Sequence, residues 1–136
     1  EHNFKCDTTA ARIVLKSQIP ISILDLPNSQ KTIIRSSEIA RIKDAPNLGP
    51  LLYSEIMSWI QPRNQDWTIP HDPIAALAMI APEYFDTSPK GQVSIDDDGK
   101  SFWKKSPSGN VTLLTPNDPE KAVERMLELI TNCSRA

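Results

Sequence analysis

Apolar positions along this chain recur at two spacings, one helical and one strand-like. Between residues 74 and 81, Ile74, Leu77, Ala78 and Ala81 fall three and four apart before Pro82 stops the run, which predicts a largely buried helix. Asp72 can accept backbone N–H bonds as its N-cap, with Pro73 in the first helical position where no N–H is needed. An imidazole, His71, and a carboxylate, Asp72, therefore stand side by side at the mouth of a buried helix. A cap is the plain reading of Asp72 and chemistry is the other.

Helical spacing returns in four more places. Ala10, Ile13, Val14 and Ser17 predict an amphipathic helix to about Gln18, capped by Asp7 and closed by Pro20. Ser36 or Ser37, with Glu38, begins a short helix through Ile42, and 44–49 is turn chemistry. Leu52, Ile56, Trp59 and Ile60 stripe a helix opened by Pro50 and ended by Pro62, placed either to pack or to act as a lid. After Asn117 or Asp118 and Pro119, the stripe Ala122, Val123, Met126, Leu127 and Ile130 predicts a last helix that docks back on a sheet.

The strand-like spacing comes in short runs. Ile19, Ile21, Ile23 and Leu24 follow a helix at once, which suggests αβ alternation around an open, mostly parallel sheet with flanking helices. The loop 25–30 leaves that strand at the edge where such sheets bind ligands. Beyond Pro82, the runs 92–95, 102–105 and 111–114 are separated by Asp97-Asp98-Gly99 and Pro107-Ser108-Gly109-Asn110, an antiparallel meander. The acidic run 96–98 lacks the alternating ligands and distal Glu of a calcium loop, so it reads as a hairpin turn. The class is α/β.

Composition narrows the partners. The chain has 136 residues, 39% of them hydrophobic, a net charge of −2 and 15 scattered Lys and Arg, so it presents no basic face for nucleic acid. No apolar run approaches the ~20 residues that span a bilayer. Cys6 and Cys133 have no second Cys or His at zinc spacing, which points away from a metal cluster or disulfide framework and leaves their redox state open. The tripeptides at 110–112 and 132–134 match the glycosylation sequon, a pattern short enough to recur by chance. No signal peptide is visible, the compartment stays open with a cytoplasmic one preferred, and the chain starts at Glu1 without Met, as though cut from something longer.

Three stretches now carry a resemblance. Glu1-His2-Asn3 with Asp7-Thr8-Thr9-Ala10-Ala11 resembles an E-[FY]-N…D-P-E-A-A segment, Ile19-Pro20-Ile21 a G-[IV]-P-[IL] strand, and His71-Asp72-Pro73-Ile74-Ala75-Ala76 an H-D-P-x-A-[AV] motif. All three belong to the C-terminal part of the inosine–uridine preferring nucleoside hydrolases, and Pro82-Glu83-Tyr84-Phe85 continues the register as D-P-E-x-F. The resemblance covers nearly the whole chain. His2 stands where the family has an aromatic, Thr8 replaces the Pro of D-P-E, and 25–30 lacks the usual G-L-D-V-T-H. The family's N-terminal D-x-D-x-x-x-D-D motif, which supplies the general base and most of the calcium ligands, is absent.

The resemblance implies hydrolysis of the N-ribosidic bond of nucleosides, with a bound calcium orienting the ribose 2′- and 3′-hydroxyls and a water. It makes Asp72 a carboxylate on Ca2+ shared with ligands outside this chain. His71 would protonate the departing base, Glu1 and Asn3 would hold ribose hydroxyls, and Trp67 would touch the base. Residues 1–136 would then be the C-terminal segment of a nucleoside-hydrolase-like domain. Its partners would be a nucleoside, the missing N-terminal half or a partner chain, and, in the complete enzyme, further copies in a homo-oligomer. The alternative is a catalytically inactive relative that binds a ribosylated ligand or another protein.

Overall fold

The computed structural model describes residues 2–132. In chain order the elements are α1 (His2–Cys6), α2 (Thr8–Leu15), β1 (Ile21–Ile23), α3 (Leu26–Ser29), β2 (Ile34–Arg35), α4 (Ser36–Lys43), α5 (Gly49–Ile60), β3 (Trp67–Thr68), α6 (His71–Ile80), β4 (Phe85–Thr87), β5 (Gly91–Ile95), β6 (Ser101–Lys105), β7 (Val111–Pro116) and α7 (Pro119–Thr131). They divide into two units, residues 1–26 with 86–115 and residues 27–85 with 116–136.

The first unit is a mixed sheet with helices. Its strand order is β1-β7-β5-β6 with β4 beside β7, so β5 lies between β6 and β7, where the expected meander would have placed β6. β5 runs antiparallel to β6 and β7, while β1 runs parallel to β7 with Ile21 opposite Val111. Asn110 fixes that parallel pair: its Nδ2 donates to the carbonyls of Ser17 and Ile19 at 2.6 and 2.9 Å, and its own carbonyl accepts from Ile21 N–H at 2.8 Å. The amide nitrogen that glycosylation at this sequon would use is thus bonded within the fold.

Asp7 caps α2 as expected, accepting from Ala10 N–H at 2.8 Å. The buried face differs from the sequence reading. Leu15 and Ala11 turn toward Ile95, Val111 and Trp103, whereas Ile13 and Val14 are 67% and 57% exposed. The short helix α1 positions Phe4 on the same cluster, an element the sequence did not announce. The acidic run is a turn: Asp96 Oδ1 accepts from the N–H groups of Asp98 and Lys100, Asp97 meets Arg12 at 2.8 Å, and Gly99 takes φ +81°.

The second unit is helical, with one two-stranded ribbon in which β2 and β3 pair antiparallel. Arg35 N–H donates to Glu38 at 2.7 Å and starts α4, and Pro50 lies in the first turn of α5. Asp118 caps α7 by accepting from Lys121 N–H at 3.2 Å. The α7 stripe is buried at Ala122, Val123, Met126 and Leu127, and it packs on α4 and α6 within its own unit, where the sequence reading had set it on the sheet. Ile34, Ile39, Ile60, Ile74 and Leu77 complete this core.

Candidate active site

Helix α6 carries the two residues that the sequence singles out. Ile74, Leu77 and Ala81 bury one face of it, and Ala75, Ala76, Met79 and Ile80 are exposed, so it is a surface helix with a single buried stripe rather than a largely buried one. It starts at His71 with Pro70 as N-cap and no side-chain cap. Asp72 is therefore inside the first turn and caps nothing, which overturns the capping role read from Asp-Pro. Among the described residues its exposed carboxylate has no hydrogen-bond or ion-pair partner. The helix dipole there favours a negative charge without satisfying it.

His71 is held differently. Its Nδ1 lies 2.8 Å from Ser29 Oγ, and Ser29 is 2% exposed. Ser29 ends α3, and Thr32 fixes its carbonyl twice, through N–H at 3.0 Å and Oγ1 at 2.6 Å. The imidazole itself is exposed, and Nε2 has no partner among the described residues. Nothing in the sequence announces Ser29, because a buried serine next to a histidine forty-two positions away has no signature in spacing.

Trp67 is half-buried in β3 opposite Arg35. It shares the second unit with His71, Asp72 and Ser29, whereas Asn3 is exposed in α1 of the first unit and Glu1 lies outside the described residues. Cys6 is an exposed free thiol with Sγ 3.5 Å from His2 Nε2, and Cys133 is likewise outside the described residues.

The stripe expected of α5 faces an open groove. Leu52, Ile56 and Trp59 of α5, Pro73 of α6, and Met126 and Ile130 of α7 line about 350 Å3 of mostly apolar space in the second unit. Arg63 lays its guanidinium 3.5 Å over the Trp59 ring.

The sequence profile described as inosine-uridine preferring nucleoside hydrolase matches residues 1–124. This chain belongs to that family. It is 33% identical over 92 residues to the pyrimidine-specific ribonucleoside hydrolase RihA of Shewanella oneidensis, an alignment covering 63% of this chain and 29% of that protein. The plant nucleoside hydrolase PpNRh1 superposes with a TM-score of 0.84 at 16% identity, covering 98% of this chain and 48% of that one. The purine-preferring ribonucleoside hydrolase from Gardnerella vaginalis gives 0.73 at 18% identity, over 91% and 43%. This chain thus spans less than half the length of these relatives, and it has the nucleoside hydrolase α/β fold over the part it shares.

The family is generally metal-dependent, which makes the fit of an ion a question for these residues. Among the described residues no three of His, Cys, Asp and Glu gather closely enough to hold one. Asp72 is a lone carboxylate, and a hard cation such as calcium takes six to eight oxygens. The described residues do not fit a complete ion site. No described helix is long and apolar enough to cross a membrane.

Proposed function

We propose that this chain supplies one half of the site of a nucleoside N-glycosidase, releasing free base and ribose. The observation that carries the reading is the pairing on one helix turn of an exposed imidazole, fixed through Nδ1, with a carboxylate that nothing else in the described chain uses. In this reading His71 gives the Nε2 proton to a nitrogen of the leaving base. The C1′–N bond breaks with its electron pair going to the base, while water adds its hydroxyl to C1′ and passes its remaining proton to the general base of the aspartate-rich half. Protonation lowers the cost of expelling an otherwise poor leaving group. Asp72 would be the carboxylate this chain brings to a calcium held mainly by the aspartate-rich half, Glu1 and Asn3 engage the ribose, and Trp67 contacts the base.

The second reading is a non-catalytic module that binds a ribosylated ligand or a protein. One experiment separates the two. The chain is incubated with inosine and uridine alone, then after assembly with a segment bearing the D-x-D-x-x-x-D-D motif. The half-site reading expects no turnover alone and hydrolysis after assembly, since one carboxylate and no activated water cannot build the site. Turnover by the isolated chain that His71→Ala abolishes would overturn the half-site claim, and silence in both samples would favour the module.

A further inference from the structure

We propose that Ser29 is a positioning residue that fixes the tautomer and aim of His71, so that the ring meets the leaving base through Nε2 alone; this rests on the functional reading above. The geometry supplies three parts of the argument. The hydroxyl approaches Nδ1 at 2.8 Å, the serine is 2% exposed, and its backbone carbonyl is gripped by both Thr32 N–H and Thr32 Oγ1. The backbone that carries the hydroxyl is therefore held in place, and the hydroxyl sits in a buried pocket against the ring. The imidazole is exposed on its other side, where Nε2 has no partner among the described residues.

The chemistry then chooses a direction for the bond. An imidazolium carries protons on both nitrogens, so in the acid form Nδ1–H donates and Ser29 Oγ accepts. When Nε2 gives its proton to the base, Nδ1–H stays on the ring and the same bond survives unchanged. The neutral product is the Nδ1–H tautomer, with the Nε2 lone pair pointing where the next proton must arrive. A hydroxyl suits this position because it accepts in both states and adds no charge beside Asp72, whereas a carboxylate there would. The second nitrogen of a histidine is commonly set by the hydrogen bond of the first.

The test reads the ring and not the turnover. The chain has two histidines, His2 and His71, so 15N-histidine labelling gives two side-chain spin systems, and His2→Gln assigns them. Read at a pH high enough that raising it further no longer moves the ring 15N shifts, His71 of the unsubstituted chain is expected to be mainly the Nδ1–H tautomer. Ser29→Ala is expected to shift its tautomer ratio about fivefold toward that of histidine in water, the size set by one ordinary hydrogen bond, with His2 unmoved. A His71 found mainly as Nε2–H in the unsubstituted chain overturns the proposal even if the alanine variant fails to fold. An unchanged ratio in a folded Ser29→Ala does the same. If the tautomer behaves as stated while the assembled protein never hydrolyses nucleosides, the functional reading falls and the lock on the ring stands.

Discussion

Arg41 grips Glu124 with two parallel bonds, Nη1 to Oε2 at 2.7 Å and Nη2 to Oε1 at 2.8 Å, and so ties α4 to α7. The side-chain hydrogen bond from Arg41 holds the Glu124 carboxyl below its ordinary range, and the same bond raises Arg41. Asp118 is likewise lowered, first by its side-chain bond with Lys121 and then by the backbone N–H it caps. A carboxyl whose folded pKa is depressed contributes stability above its unfolded pKa, and that contribution is lost as pH falls through the folded value. Glu124→Gln is therefore expected to destabilise the protein modestly at pH 7 and to match the parent in acid, where both carry an uncharged side chain. Urea melts at both pH values check this. The pair is solvent-exposed, so added salt should shrink the difference at pH 7.

Asp72→Asn is expected to leave the fold almost untouched. The carboxylate caps nothing, and its favourable place near the start of a helix is worth at most about 1 kcal/mol. Calcium titration of the assembled enzyme should respond far more, because ligand charge sets much of the affinity of an oxygen site. A variant that melts several degrees lower yet binds calcium like the parent would make Asp72 a structural residue.

His71→Ala in the assembled enzyme is expected to slow purine nucleosides by ~10²–10⁴, the usual range for lost acid assistance. Nitrophenyl riboside, whose leaving group needs no proton, should be nearly spared, and ribose affinity should change little. Equal losses on both substrates would assign His71 to structure.

Gly99→Ala tests the turn that follows the acidic run. Gly99 has φ +81°, and a Cβ added there would meet the Lys5 backbone at 2.5 Å. The left-handed conformation alone costs an L-residue about 1–2 kcal/mol, and the close approach adds to it. A urea midpoint equal to that of the parent would show that neither the turn nor its close approach to α1 requires glycine.

Much of this was readable beforehand because the signals were local. Asp7 and Asp118 act through N–H groups three residues on, and the α7 stripe is a period within one helix, so neither needs the rest of the chain to be known. What escaped depended on distant partners. Ile13 and Val14 look like a buried face until Leu15 finds Ile95 and Val111, roughly eighty to a hundred positions away in sequence. The ribbon of Ile34–Arg35 with Trp67–Thr68 is too short for any alternation to register. The cap differs from the expected one by two residues, since Asp-Pro is a fair cap signal but the helix starts earlier, with Pro70 as its N-cap. Ser29 was invisible for the same reason as the ribbon: its meaning lies in His71, forty-two positions on.

The exposed end of α6 has a chemical consequence of its own. Met79 is 85% exposed and Met126 is 4% exposed, so dilute peroxide should convert Met79 to its sulfoxide long before it reaches Met126. The thioether is thus a built-in footprinting probe. Slowed oxidation at Met79 on adding an aspartate-rich segment, or on raising the protein concentration, would reveal by mass spectrometry that a neighbour had covered the far end of the helix that begins with His71.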